Sequence, residues 1–116
     1  MSVNDHQADL ATTCNVAYAM NVVGGKWKIS IIWELADGTA ERLSELRRNL
    51  QTISEGVLIT QLKELERDGL VRRTVYPEVP PHVEYELTPI GQSFVEAIKN
   101  IEVWGAAYRQ VASQKI

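Results

Sequence analysis

The chain of 116 residues contains a single cysteine, two histidines and no long apolar run. The one cysteine, Cys14, cannot close an internal disulfide, which favours a reducing compartment. No stretch approaches the ~20 apolar residues that a membrane-spanning helix needs. The first residues are polar and acidic, unlike a secretory signal. We therefore expect a cytoplasmic protein with no membrane partner.

Residues that could support metal or covalent chemistry are sparse and scattered. His6 and His82 lie far apart in sequence, and a zinc site cannot be built around one cysteine. The segment Gly24-Gly25-Lys26 lacks the preceding strand and the spacing of a phosphate-binding loop. No serine nucleophile elbow is present. The sequence predicts neither an enzyme nor a bound cofactor or metal.

The overall charge does not favour nucleic-acid binding, because the net charge is -3. Phosphate neutralisation supplies much of the affinity of DNA-binding proteins. Residues 42–82 nevertheless carry seven basic and six acidic side chains. A DNA-binding face would therefore have to be local and only mildly basic, on an otherwise acidic protein.

The length fits one domain, and we expect a flexible arm over residues 1–12 followed by a single domain over residues 13–112. Apolar residues at helical spacing after Cys14 predict a short first helix, which Gly24-Gly25 would end. A second, largely buried helix is predicted from Lys26 to Leu35.

The next segment has the pattern of a helix-turn-helix. Leu43, Leu46 and Leu50 are spaced to form one buried face of a supporting helix. A second helix is predicted to open at Ser54, which can cap its N-terminus, and to bury Leu58 and the leucines that follow. In a helix-turn-helix, the exposed face of this second helix enters the major groove of DNA.

Two strands, residues 71–76 and 83–87, alternate in polarity on either side of a proline-rich connection. This order predicts a β-wing that reaches the minor groove or the phosphates. Thr88 and Pro89 are typical of a helix start. One long helix, over about 89–112, should follow and is more apolar than a small domain requires. The predicted fold class is mainly α with a small β-wing (α+β), a winged helix-turn-helix.

Two sets of candidate residues follow from this fold. The predicted DNA contacts are Arg47, Arg48, Ser54, Gly56, Thr60, Lys63, Arg67, Arg72, Arg73, Pro80 and His82. The excess apolar surface on the terminal helices predicts a homodimer whose interface includes Val16, Met20, Ile98, Ile101, Trp104 and Tyr108. Each basic residue could equally be a solvated charge or the partner of a nearby glutamate.

Several ordered motifs resemble the HxlR-type branch of the MarR-like winged-helix regulators over roughly residues 14–104. They are Cys14-Asn15-Val16, Gly24-Gly25-Lys26-Trp27, Leu43-Ser44-Glu45-Leu46-Arg47-Arg48, the run from Leu62 to Val71 and the run from Tyr76 to Thr88. The resemblance implies a homodimer on a pseudo-palindromic operator in double-stranded DNA, which acts as a repressor or an activator near the regulator's own promoter. Of these two activities, repression is the expected one.

The resemblance also implies a role for Cys14, because several members of the family sense electrophiles or oxidants through a cysteine just ahead of the first helix. A helix N-terminus stabilises the reactive thiolate. With one cysteine per chain, the open routes are a disulfide between the Cys14 residues of two protomers, S-thiolation by a small thiol, or S-alkylation. The alternative is that Cys14 is a small buried apolar residue.

Gly56 departs from the commoner pattern of the family, which often has a basic or large polar residue there. It removes one base contact and costs helix stability, by up to about 1 kcal/mol relative to alanine. Specificity should then depend more on Ser54, Thr60 and Lys63. Together with the acidic charge, Gly56 leaves a second hypothesis open, a winged-helix protein-interaction module that does not bind DNA.

Overall fold

A computed structural model describes residues 14–114, so the predicted arm over residues 1–12 lies outside the described part of the chain. Helix α1 spans Asn15–Val23, and its end is closed by the Gly24 amide, which donates to the Met20 carbonyl at 2.8 Å. Helix α2 spans Lys28–Glu34. It begins two residues later than the pattern predicted.

The helix-turn-helix is present as predicted, with α3 over Leu43–Leu50 and α4 over Glu55–Arg67. At the turn, Gln51 has a φ of 63° and a ψ of -70°, and the Thr52 amide donates to the Leu50 carbonyl at 2.8 Å. A three-residue turn at positive φ is strained for a residue with a side chain. The surrounding packing therefore holds the angle between the two helices.

The wing is an antiparallel hairpin of β2, Val71–Tyr76, and β3, His82–Leu87. Its register places Val71 opposite Leu87 and Tyr76 opposite His82. A two-residue strand, β1 over Glu41–Arg42, pairs with the other edge of β3, so the sheet order is β1-β3-β2. Strand β1 was not predicted, because two residues are too few to show alternation.

The single C-terminal helix predicted over 89–112 is wrong in one respect, because the helix breaks at Phe94. Helix α5 spans Pro89–Ser93 and helix α6 spans Val95–Gln114. Helix α5 is held against the turn between α4 and β2: a Cβ at Gly91 would collide with the Leu70 carbonyl, and the Thr88 hydroxyl donates to the Gly69 carbonyl at 2.6 Å. None of the helices within residues 14–114 has the length and hydropathy that crossing a membrane requires.

The core is formed where α2, α3 and α4 meet the sheet. Its fully buried members include Ile31, Leu46 and Leu58. Ile98, predicted to face a second protomer, is 4% exposed and belongs to this core. This part of the interface prediction is corrected, because the first turns of α6 pack within the protomer.

An ion pair between a buried lysine and a half-buried glutamate ties α2 to α4. The ammonium group of Lys28 lies 2.7 Å from a carboxylate oxygen of Glu64, and Lys28 is almost fully buried. Removing one partner of such a pair leaves the other charge poorly solvated, which is strongly destabilising. The pair therefore constrains how α4 sits on the domain.

A second polar cluster joins α2, β1 and α3 through carboxyl groups. The Glu41 Oε1 atom is buried without a hydrogen-bond partner among the described residues, and Glu34 accepts a hydrogen bond from the Asn49 amide at 2.7 Å. Burial, and then the neighbouring Glu34 carboxylate, raise the pKa of Glu41 to about 7, with smaller contributions from Glu45 and Asp37. Protonated Glu41 is thus the form that fits the fold.

We expect the stability of the domain to fall as the pH rises through about 7. Because the pKa of Glu41 is higher in the folded state than in the unfolded state, its proton stabilises the fold. This stabilisation is fully present below the unfolded-state pKa near 4.5 and is lost as the pH rises through the folded-state pKa of about 7. Glu41→Gln, which mimics the protonated form, should unfold at higher urea than the parent protein at pH 8 and should differ less at pH 5. Glu66→Gln, at an exposed carboxylate of α4, is the control. Parallel pH profiles for the parent and Glu41→Gln would contradict the assignment.

Candidate nucleic-acid interface

Helix α4 buries one face and offers the other to solvent. Its N-terminus is capped as predicted, because the Ser54 hydroxyl accepts a hydrogen bond from the Val57 amide at 3.2 Å. The exposed residues include Gly56, Thr60 and Lys63. Since Leu58, Leu62 and Leu65 are buried on the opposite side, this face is held outward by the core. The predicted face of the second helix is therefore free to meet a ligand.

Three of the predicted cations are engaged in ion pairs with neighbouring carboxylates. Their nitrogen to oxygen distances are 3.3 Å for Arg47 and Glu55, 3.2 Å for Arg67 and Asp68, and 3.4 Å for Arg72 and Glu86. The hydrogen bond with Asp68 also raises the pKa of Arg67. The three arginines are exposed, so solvent screens these pairs and they add little stability. A phosphate group could therefore replace the carboxylate at little cost.

The other three predicted cations, Arg48, Lys63 and Arg73, have no carboxylate within 4.0 Å among residues 14–114. Lys63 and Arg73 line one groove between α4 and the sheet, although they come from different elements. Arg47 and Arg48 line a second cleft between α3 and the start of α4. The fold thus places positive charge on both sides of the exposed face of α4.

The wing tip holds His82 more tightly than predicted. Its ring stacks on Tyr76 at 4.7 Å, and its two nitrogens lie 3.1 Å from carboxylate oxygens of Glu78 and Glu84. The side chain is 14% exposed. His82 therefore shapes the wing, and its predicted direct contact with DNA would require these contacts to open. Pro80, by contrast, lies on the exposed tip.

Two residues near this face were not predicted from the sequence. Val57 is exposed in the first turn of α4, and Lys28 is buried behind the same helix. Val57 was hidden because a valine beside a leucine stripe is usually counted with the core. The sequence did contain one indication: Val57 follows Gly56 directly and so lies about 100° from it around the helix, close to the exposed face. No sequence pattern indicates the partner of Lys28.

A separate apolar surface lies on the terminal helices, away from α4. Val16 and Met20 on α1 and Ile101, Trp104 and Tyr108 on α6 are exposed. The rings of Trp104 and Tyr108 stack at 5.2 Å with an angle of 7° between their planes. Cys14 is also exposed, directly before α1, so it is not buried within the protomer.

The HxlR-like helix-turn-helix family model matches residues 22–113 of this chain. The HTH-type transcriptional regulator YdeP of Bacillus subtilis is 39% identical over 105 residues, covering 90% of this chain and 81% of YdeP. An HTH-type transcriptional regulator of Methanothermobacter thermautotrophicus is 42% identical over 104 residues, covering 90% of this chain and 79% of that protein.

Among solved structures, the redox regulator HypR in its reduced form has a TM-score of 0.81 and 39% sequence identity, covering 87% of this chain and 99% of HypR. The family match covers the helix-turn-helix, the wing and most of α6. These likenesses confirm the predicted fold and the resemblance noted from the sequence motifs. The chain therefore belongs to the HxlR-like helix-turn-helix family of transcriptional regulators, which are not enzymes.

Proposed function

We propose that this regulator binds a pseudo-palindromic operator as a homodimer, represses transcription and responds to electrophiles or oxidants through Cys14. The observation that carries DNA binding is the exposed N-terminal half of α4, with Lys63 and Arg73 on one side and Arg48 on the other. Recognition helices of this kind contact base edges from their first turns. Arg48 and Arg73 would contact phosphates and set the register, whereas Lys63 lies on the face of α4 that meets the bases.

DNA binding should be tested by fluorescence anisotropy on duplexes from upstream of the gene and on unrelated duplexes, over a range of salt. Lys63→Ala should weaken binding to the upstream duplex and relax the preference at one position in each half-site, because Lys63 lies on the helix face that meets bases. Arg47→Ala should weaken all duplexes about equally and lower the log-log salt slope by about 0.9 for each phosphate that is no longer neutralised.

Lys99→Ala is the matched control, because Lys99 pairs with Glu96 on α6, away from α4. Equal losses for Lys63→Ala and Arg47→Ala on every duplex would contradict the assignment of base and phosphate contacts. If no duplex binds, the remaining hypothesis is a protein-interaction module on the same scaffold.

The homodimer is supported by α6, most of which extends beyond the core of its own protomer. Of its 20 residues, only Val95 and Ile98 are buried, and both lie in its first turn. A long helical segment without packing partners is marginal in water. The exposed apolar residues of α6 and α1 would find those partners in a second copy.

Trp104→Glu should therefore convert the dimer into monomers, because it places a charge in the proposed interface. The matched control is Trp33→Glu, at another exposed tryptophan but on α2: Trp33 is 41% exposed and Trp104 is 65% exposed. Sedimentation equilibrium gives the masses. A dimer mass for Trp104→Glu would remove α6 from the interface.

Redox or electrophile sensing is supported by the exposure of Cys14 at the start of α1 and by the likeness to the redox regulator HypR. Cys14 lies beside the exposed apolar residues of α1, so a group attached there would alter the proposed dimer surface. The thiolate could add to a quinone, exchange with a small disulfide, or join the Cys14 of the partner protomer while an oxidant accepts the two electrons.

Treatment with a quinone or hypochlorite should abolish DNA binding by the parent protein and leave Cys14→Ser unaffected. Intact mass would show which adduct forms, and for hypochlorite-treated protein a reductant should restore binding. Loss of binding in both proteins would assign the effect to other residues. If binding survives treatment in both, the regulator responds to some other signal.

A further inference from the structure

Helix α4 exposes one large apolar side chain, and it lies in the first turn. Val57 is 41% exposed, whereas the next residue, Leu58, is completely buried. A β-branched side chain on a helix strongly prefers one rotamer. The two methyl groups of Val57 are therefore held in a fixed direction in solvent. These methyl groups do not pack in the core of the protomer.

The surroundings of Val57 are both anchored and open. Its backbone amide donates to the Ser54 hydroxyl at 3.2 Å, which fixes the first turn. Gly56 adds no side chain, and a Cβ there would meet nothing within 4 Å. Thr60, one turn further along, is also exposed. A planar group could thus approach the helix closely at this point and touch the methyl groups of Val57.

We propose that Val57 is a specificity-determining residue that contacts the C5-methyl group of a thymine in the major groove. This inference rests on the proposed DNA binding and adds a rule for which base is chosen. The first turns of a recognition helix lie nearest the base edges. Thymine alone presents a methyl group there, and apolar side chains distinguish it. Covering two apolar groups at once removes both from water.

The test requires duplexes that the protein itself selects from a random-sequence pool. Each thymine of a selected duplex is replaced in turn by deoxyuridine, which pairs identically but lacks the methyl group. For the parent protein, one position in each half-site should lose about fourfold in affinity, the factor expected for one buried methyl group. For Val57→Ala, which removes both γ-methyl groups, the same replacement should cost clearly less than fourfold.

Val75→Ala is the matched control, since it removes the same atoms from another exposed valine, on strand β2 of the wing. The thymine methyl lies in the major groove, so this variant should keep the parental response to deoxyuridine. Val57→Thr retains one γ-methyl group and should therefore keep part of the loss of affinity on replacement by deoxyuridine. It serves as a second test if Val57→Ala does not fold.

The proposal is overturned if no deoxyuridine position weakens the parent protein, or if Val57→Ala and Val57→Thr show the full parental loss. Either result, obtained with salt-dependent binding to the selected duplex, would leave the proposed DNA binding intact. Failure to select any duplex would overturn both.

Discussion

The burial of one face of α4 is the constraint on which the rest of the structure depends. Leu58, Leu62 and Leu65 are each almost completely removed from water, and together they fix the rotation of the helix about its axis. The salt bridge from Lys28 to Glu64 then fixes it against α2. These two interactions determine which residues at the start of α4 are exposed to solvent.

Charge is arranged locally on a chain that is acidic overall. Cations on α3, α4 and β2 surround the exposed face of α4, and several are paired with glutamate or aspartate on the same surface. Such pairs lower the positive potential of the free protein while leaving each arginine able to change partners. This organisation reconciles a net charge of -3 with a surface suited to a polyanion.

The helix starts and the buried helix faces could be predicted because local sequence features indicate them. Ser54 and Thr88 cap helices where expected, and the leucine spacing identified the buried faces of α3 and α4. The break at Phe94 could not be predicted, since the apolar pattern continues across it. The same limit applies to the candidate site. Charged residues were found by type, but their partners, including the two carboxylates beside His82, depend on the folded chain.

Most of α6 lies outside the core of the protomer, and this couples the folding of the helix to the concentration of the protein if a dimer forms. If a second copy covers it, the last turns of the helix become stable only on association, so their formation follows mass action. The amount of ordered helix then depends on how many copies of the protein a cell contains.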